Sequence, residues 1–141
     1  MSAWADHLVG VIEAIDGGIE SHGGFGSKTI GPLQLDRLTY PAVHIVPQTV
    51  DYAGGNEYTH SITVEHIYTF THDFDYTSFV LETAERSDSV LDALHDTDDL
   101  DIQARVDSVD HFAGQPADNL LVGLDVTFAV QTAVDLATYR D

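Results

Sequence analysis

Residues 57–70, EYTHSITVEHIYTF, alternate between two kinds of side chain. Tyr58, His60, Ile62, Val64, His66, Tyr68 and Phe70 share one parity, and Thr59, Ser61, Thr63, Glu65 and Thr69 share the other. Ile67 alone is out of step. A period of two predicts a strand with one face buried and one solvated. Residues 120–134 repeat the pattern, with Leu120, Val122, Leu124, Val126, Phe128, Val130 and Val134 in register. Residues 102–112 alternate more weakly. AVHIV, 42–46, is a short apolar run bracketed by Pro41 and Pro47; Pro41 restricts it to an edge strand or to the start of a strand, and Pro47 closes it. Another short strand is expected around Leu33–Leu38.

Two segments carry helical spacing instead. Trp4, Leu8, Val11, Ile12 and Ile15 mark one face of a helix over 2–16, with Ser2 placed to cap it and Gly17-Gly18 to end it. Tyr76, Phe79, Val80, Ala84, Val90, Leu91 and Leu94 mark a second helix over about 76–95, for which Asp73 or Asp75 can serve as N-cap. Glycine-rich 17–32, QTVDYAGGNE at 48–57, DTDDLD at 96–101 and GQPADN at 114–119 read as turns or loops, and ATYRD as a frayed tail. The order α-β-β-β-α-β-β, with hairpin-length links, predicts an α+β fold. Its sheet is mainly antiparallel, with two helices packed on one face, in a single domain over 1–141.

Charge changes the picture more than length does. The 141 residues hold 24 acids against five Lys and Arg, a formal net charge of −19. Lys28 is the single lysine, and aspartate outnumbers glutamate. Such a chain repels itself unless the Debye length is short, about 3 Å at 1 M salt. The composition therefore points to a protein made in a high-salt, halophilic cytoplasm. It argues against binding phosphate backbones or anionic membranes. No run of 18 apolar residues and no basic leader is present, so neither a transmembrane helix nor a signal peptide is expected. The absence of cysteine removes disulfides, thiolate metal sites and a thiol nucleophile.

Candidate chemistry is sparse. His60 and His66 share a strand face but stand roughly 20 Å apart along it, too far for one metal ion. They read as packed or interface histidines, each needing separate partners such as His44 on a neighbouring strand. GGFGSKT at 23–29 places Ser27 where a phosphate loop needs glycine before lysine, and it follows a helix rather than a strand. DTDDLD has Asp101 where a calcium loop needs glycine. There is no G-x-S-x-G elbow and no H-E-x-x-H. No catalytic, cofactor-binding or metal-ligating residue is assigned, and the chain does not read as an enzyme.

The N-terminal helix, the glycine-rich segment, YPAVHIVP at 40–47, the long alternating strand, the second helix and the closing strand LLVGLDVTFAV at 120–130 together have a known outline. Over residues 2–136 the chain resembles the tail terminator, or tail-to-head joining, proteins of long-tailed viruses. In that family a Tyr-Pro strand and a terminal alternating strand flank the second helix. With the acidic composition, the resemblance implies a virus of a haloarchaeal host. It implies a structural virion protein of the neck, with no cofactor. Six copies would form a ring on the tail tube, contacting the major tail tube protein on one side and the head connector or stopper on the other. DNA would pass through an acid-lined lumen without specific binding. Loops 22–31 and 48–57 are the expected docking surfaces, with Phe25, Lys28, His44, Tyr52, Asn56 and Tyr58 as candidate interface residues. A head-completion stopper or adaptor of the same neck is the alternative. A second alternative, from a different class, is a halophilic small-ligand or metal-binding protein using His44, His60 and His66.

Overall fold

A computed structural model of the chain describes residues 3–31, 39–54, 57–69, 75–97, 101–114 and 121–133. Its elements are α1 (Ala3–His22), β1 (Ser27–Ile30), β2 (Ala42–Gly54), β3 (Glu57–Thr69), α2 (Tyr76–His95), β4 (Asp101–Gly114) and β5 (Leu121–Ala133). The order is the α+β order expected. The strands form one five-stranded sheet, β1-β2-β3-β5-β4, in which only the β1–β2 pair is parallel.

β3 lies at the centre, and its two parities separate as the alternation predicts. Ile62 and Val64 join Val43, Ile45, Val126, Phe128 and Val130 under Val11, Ile15 and Ile19 of α1 and Val90 and Leu94 of α2. Both helices therefore cover the same face. Each buried aliphatic side chain contributes about 1.5–3 kcal/mol through removal from water. Ile67, the residue out of step, belongs to a second cluster on the opposite face, helix-free among the described residues, with Ala42, Leu121, Tyr40 and Phe112. Phe112 lies over Gly123, where an added Cβ would come within 2.0 Å of its ring.

Three expected boundaries are corrected. α1 does not stop at Gly17-Gly18 but continues to His22. At Gly18 an added Cβ would lie 2.6 Å from the Val90 Cα, so the glycine there serves the close crossing of α1 over α2. The helix ends at Gly23, which has φ +72° and donates its N–H to the Ile19 carbonyl at 2.9 Å. Residues 27–30, expected within a loop, form β1, while the strand expected around 33–38 lies outside the described residues.

β2 starts directly after Pro41, as the strand-start reading expects, but it is neither short nor an edge over 42–46. β1 covers Ala42–Ile45, and β2 runs on through Pro47 to Gly54. Gly31 N donates to the Ile45 carbonyl, so the backbone groups of residue 45 face away from β3. Two residues on, Pro47 presents its nitrogen on that same side, beyond the end of β1, where no N–H is required. The segment 48–57 is thus mostly paired strand rather than a long turn.

α2 begins where expected. Asp75 is its N-cap, accepting from Thr77 N at 3.1 Å and Ser78 N at 3.3 Å. Its buried stripe is Phe79, Thr83, Arg86, Ser87, Val90 and Leu94, whereas Tyr76, Val80 and Ala84 of the expected stripe are exposed.

Candidate interaction surfaces

The six candidate interface residues do not form one surface. Tyr52 and Tyr58 face each other across the β2–β3 ladder, with ring centroids 5.3 Å apart and planes tilted by 47°. Tyr52 is 63% exposed, so the far end of this hairpin presents an aromatic pair. Asn56 lies outside the described residues. Phe25, Lys28 and His44 sit toward the other end of β2, around β1. Phe25 packs against the core, and the Lys28 ammonium stands 6.0 Å from its ring centroid.

Lys28 is committed within the chain, to Asp16 and Glu20 on α1. Burial depresses its pKa, but the hydrogen bonds and charges of Asp16 and Glu20 outweigh this, and the net direction is upward. His44 is buried, with Nε2 on the Gly31 carbonyl and Nδ1 3.8 Å from Glu65 Oε2.

The three histidines of the metal-binding alternative are not brought together. His60 and His66 lie on the helix side, whereas His44, register partner of Glu65, lies on the helix-free side. Burial and the nearby His7 hold His60 down to about 4, with Nε2 3.4 Å from Thr132 Oγ1. Burial and Arg86 hold His66 down to about 3. Both are neutral at pH 7. Among the described residues, no three His, Asp or Glu side chains converge on a metal position.

Arg86 organises the helix side, and the sequence reading missed it. It is 1% exposed. Nη2 donates to the Gly23 carbonyl at 2.9 Å, the Gly24 carbonyl at 3.2 Å and Glu82 Oε1 at 3.0 Å. Nε donates to the Gly23 carbonyl at 3.3 Å. Glu82 in turn accepts from the Tyr68 hydroxyl at 2.8 Å, and burial with this bond raises that phenol to about 12. The guanidinium thus binds the chain just beyond α1 to α2 and to β3. The available signal was its place in the helical period, between Thr83 and Val90.

The helix-free face carries a cross-strand row of acids. Glu65 pairs with Asp125, and Asp125 with Asp110. Burial, then the charges of Glu65 and Asp110, raises Asp125 to about 6. Further along, Thr59, Ala129, Gln131, Gln103 and Arg105 line a shallow depression of about 330 Å³.

Three stretches of strand lack an outer neighbour among the described residues: β1 and β2 beyond Ile45 on one side of the sheet, and β4 on the other. Beside β4, a groove of about 230 Å³ is lined by Val80, Ala84, Val106, Val109 and Val126. Val109 is 56% exposed. No family model matches this chain, and no curated protein matches it significantly.

Proposed function

We propose that this protein is a structural virion component of a long-tailed virus, a tail terminator that closes the tail tube and joins it to the head connector. The observation that carries this reading is that, among the described residues, the sheet is open on both sides, along β1 and β2 beyond Ile45 on one and along β4 on the other. β2 beyond Ile45 carries the exposed Tyr52, and β4 carries the exposed Val106 and Val109. A subunit that meets an identical neighbour on each side needs two different surfaces, and a heterologous contact that closes on rotation makes a ring. The element order agrees with the resemblance of YPAVHIVP and LLVGLDVTFAV to that family. The charge of −19 suits a lumen that repels DNA phosphates and a host cytoplasm of high salt.

The test is light scattering with negative-stain imaging on protein held in molar KCl, alone and with polymerised tail tubes. A ring with a central hole, seated on tube ends, is expected. Protein that stays monomeric and leaves tube ends bare would refute the assignment.

A further inference from the structure

We propose that the groove between α2 and β4 docks a tyrosine side chain of a partner protein, flanked there by lysine or arginine. The ring lies on the valines, its hydroxyl meets Thr83, and the flanking cation meets Asp88. The groove opens on the helix side and leaves the outer backbone edge of β4 to a neighbouring copy, so the inference goes beyond the ring reading without resting on it.

Two elements running opposite ways build the groove. Tyr76, at the start of α2, meets His111 edge to face with ring centroids 5.5 Å apart. His95, at the end of α2, accepts from Ala104 N at 3.3 Å. These contacts close the two ends. Between them Val80 and Ala84 of α2 face Val106 and Val109 of β4 over a floor of Leu124 and Val126. Val80, Val106 and Val109 are all exposed, and clustered apolar surface gains from being covered. Volume sets the size of the occupant. The groove measures about 230 Å³. That exceeds the roughly 150 Å³ that holds a benzene ring and falls short of the roughly 300 Å³ at which sites for whole small molecules begin. One ring on a short arm fits. The open side favours a ring presented by a larger body, because a site for a small molecule encloses most of it.

Two polar groups select the ring and its neighbours. Thr83 lines the groove and is 3% exposed, and its Oγ1 is buried with no hydrogen-bond partner among the described residues. A helical threonine ordinarily gives this hydroxyl to a carbonyl one turn back. An unmet buried hydroxyl is unfavourable, and a ring whose tip both donates and accepts relieves it. Tyrosine has such a tip and phenylalanine does not. Asp88 also lines the groove but is exposed, on its rim. It lies five residues from Thr83, roughly 7.5 Å along the helix axis. A ring with its tip at Thr83 therefore brings its backbone end, and the side chains beside it, to Asp88. Lys28, Arg86 and Arg105 are each paired with other acids, Arg105 with Asp107 at 3.0 Å. A net charge of −19 favours a basic partner further.

The probes are capped Lys-Tyr-Lys and Lys-Phe-Lys tripeptides, titrated in molar KCl into protein with labelled valine methyls and followed by NMR. Saturable shifts at Val80, Val106 and Val109 are expected, with the tyrosine peptide bound about threefold tighter or more. Thr83→Val, which removes the hydroxyl and keeps the shape, is expected to abolish that difference and to leave binding of the phenylalanine peptide unchanged. Asp88→Asn is expected to weaken both peptides about threefold, as suits one exposed pair in high salt. Thr83 Oγ1 has no hydrogen bond to lose and Asp88 is exposed, so both variants keep the fold. No saturable shift at the three valines would overturn the site. Equal affinity of the parent protein for the two peptides would overturn the tyrosine, and an Asp88→Asn variant that binds like the parent would overturn the flanking cation. Tyramine bound as tightly as the tyrosine peptide would overturn the protein partner in favour of a small molecule.

Discussion

Arg86 and His66 meet through Nη1 and Nδ1 at 3.1 Å, in a site where both side chains are almost wholly buried. The guanidinium can only donate, so His66 accepts on Nδ1 and carries its proton on Nε2. The contact fixes both the tautomer and the charge of the histidine. It also completes a set of partners that ties Gly23, Gly24, Glu82 and β3 to one residue of α2.

Replacing Arg86 therefore removes more than a charge. Arg86→Ala leaves two carbonyls, a carboxylate and an imidazole without their donor, and is expected to destabilise the protein by about 3–5 kcal/mol. Arg86→Lys recovers only part of this, because one ammonium cannot reproduce the planar fork. Denaturant unfolding in molar KCl checks both. A lysine variant as stable as the parent would show that the fork is unimportant.

The buried histidines give the protein an acid limit. His60 and His66 have folded pKa values of about 4 and about 3, below the ordinary 6.5. Their contribution is fully present above pH 6.5 and is lost as pH falls toward those values, because the unfolded chain binds the protons first. Each adds a slope of about 1.4 kcal/mol per pH unit within its window. His60→Gln is expected to flatten the stability curve by that amount between pH 6.5 and about 4. Calorimetry across this range measures it.

Asp125 acts with the opposite sign. Its folded pKa is raised to about 6 from 3.8, so its favourable share is present below pH 3.8 and lost as pH rises through about 6. Asp125→Asn is expected to stabilise the protein at pH 7 by about 1–2 kcal/mol, discounted because the side chain is partly exposed. The gain should vanish at pH 3.5, which thermal melts at both pH values would show.

Adjacent glycines in α1 should respond in opposite directions. Nothing stands within 4 Å of a Cβ added at Gly17, so Gly17→Ala is expected to stabilise by about 0.5–1 kcal/mol through helix propensity. At Gly18 the same methyl meets the Val90 Cα and the Ser89 carbonyl, and Gly18→Ala is expected to cost about 1–3 kcal/mol. Equal effects at both sites would mean that the helices do not cross at Gly18.

That pair also shows where sequence stops being informative. Periodicity located α2 and the strand starting at Glu57, because amphipathic patterns are local and long. A Gly-Gly step is the ordinary sign of a helix end, and nothing local reveals that α2 requires a groove there. Pro47 looked like a strand terminator because the sequence does not show which way its nitrogen faces. β1 was hidden in a glycine-rich segment, since its pairing depends on β2. Burial of Arg86 depends on carbonyls at residues 23 and 24, which no window around residue 86 contains. Of the candidate interface residues, Tyr52 and Tyr58 came together across one ladder, while Phe25, Lys28 and His44 lie elsewhere in the fold.

The place of β5 in the sheet has a consequence for synthesis. It is the last of the described strands along the chain, yet it lies between β3 and β4. A nascent chain leaving the ribosome can pair β1, β2 and β3, but β4 has no strand to dock on until residues 121–133 emerge. Translation products cut short before Leu121 cannot place β4 at the sheet edge. Such fragments lack the β4 edge of the finished sheet, so the geometry of the sheet itself distinguishes them from a chain that reaches Ala133.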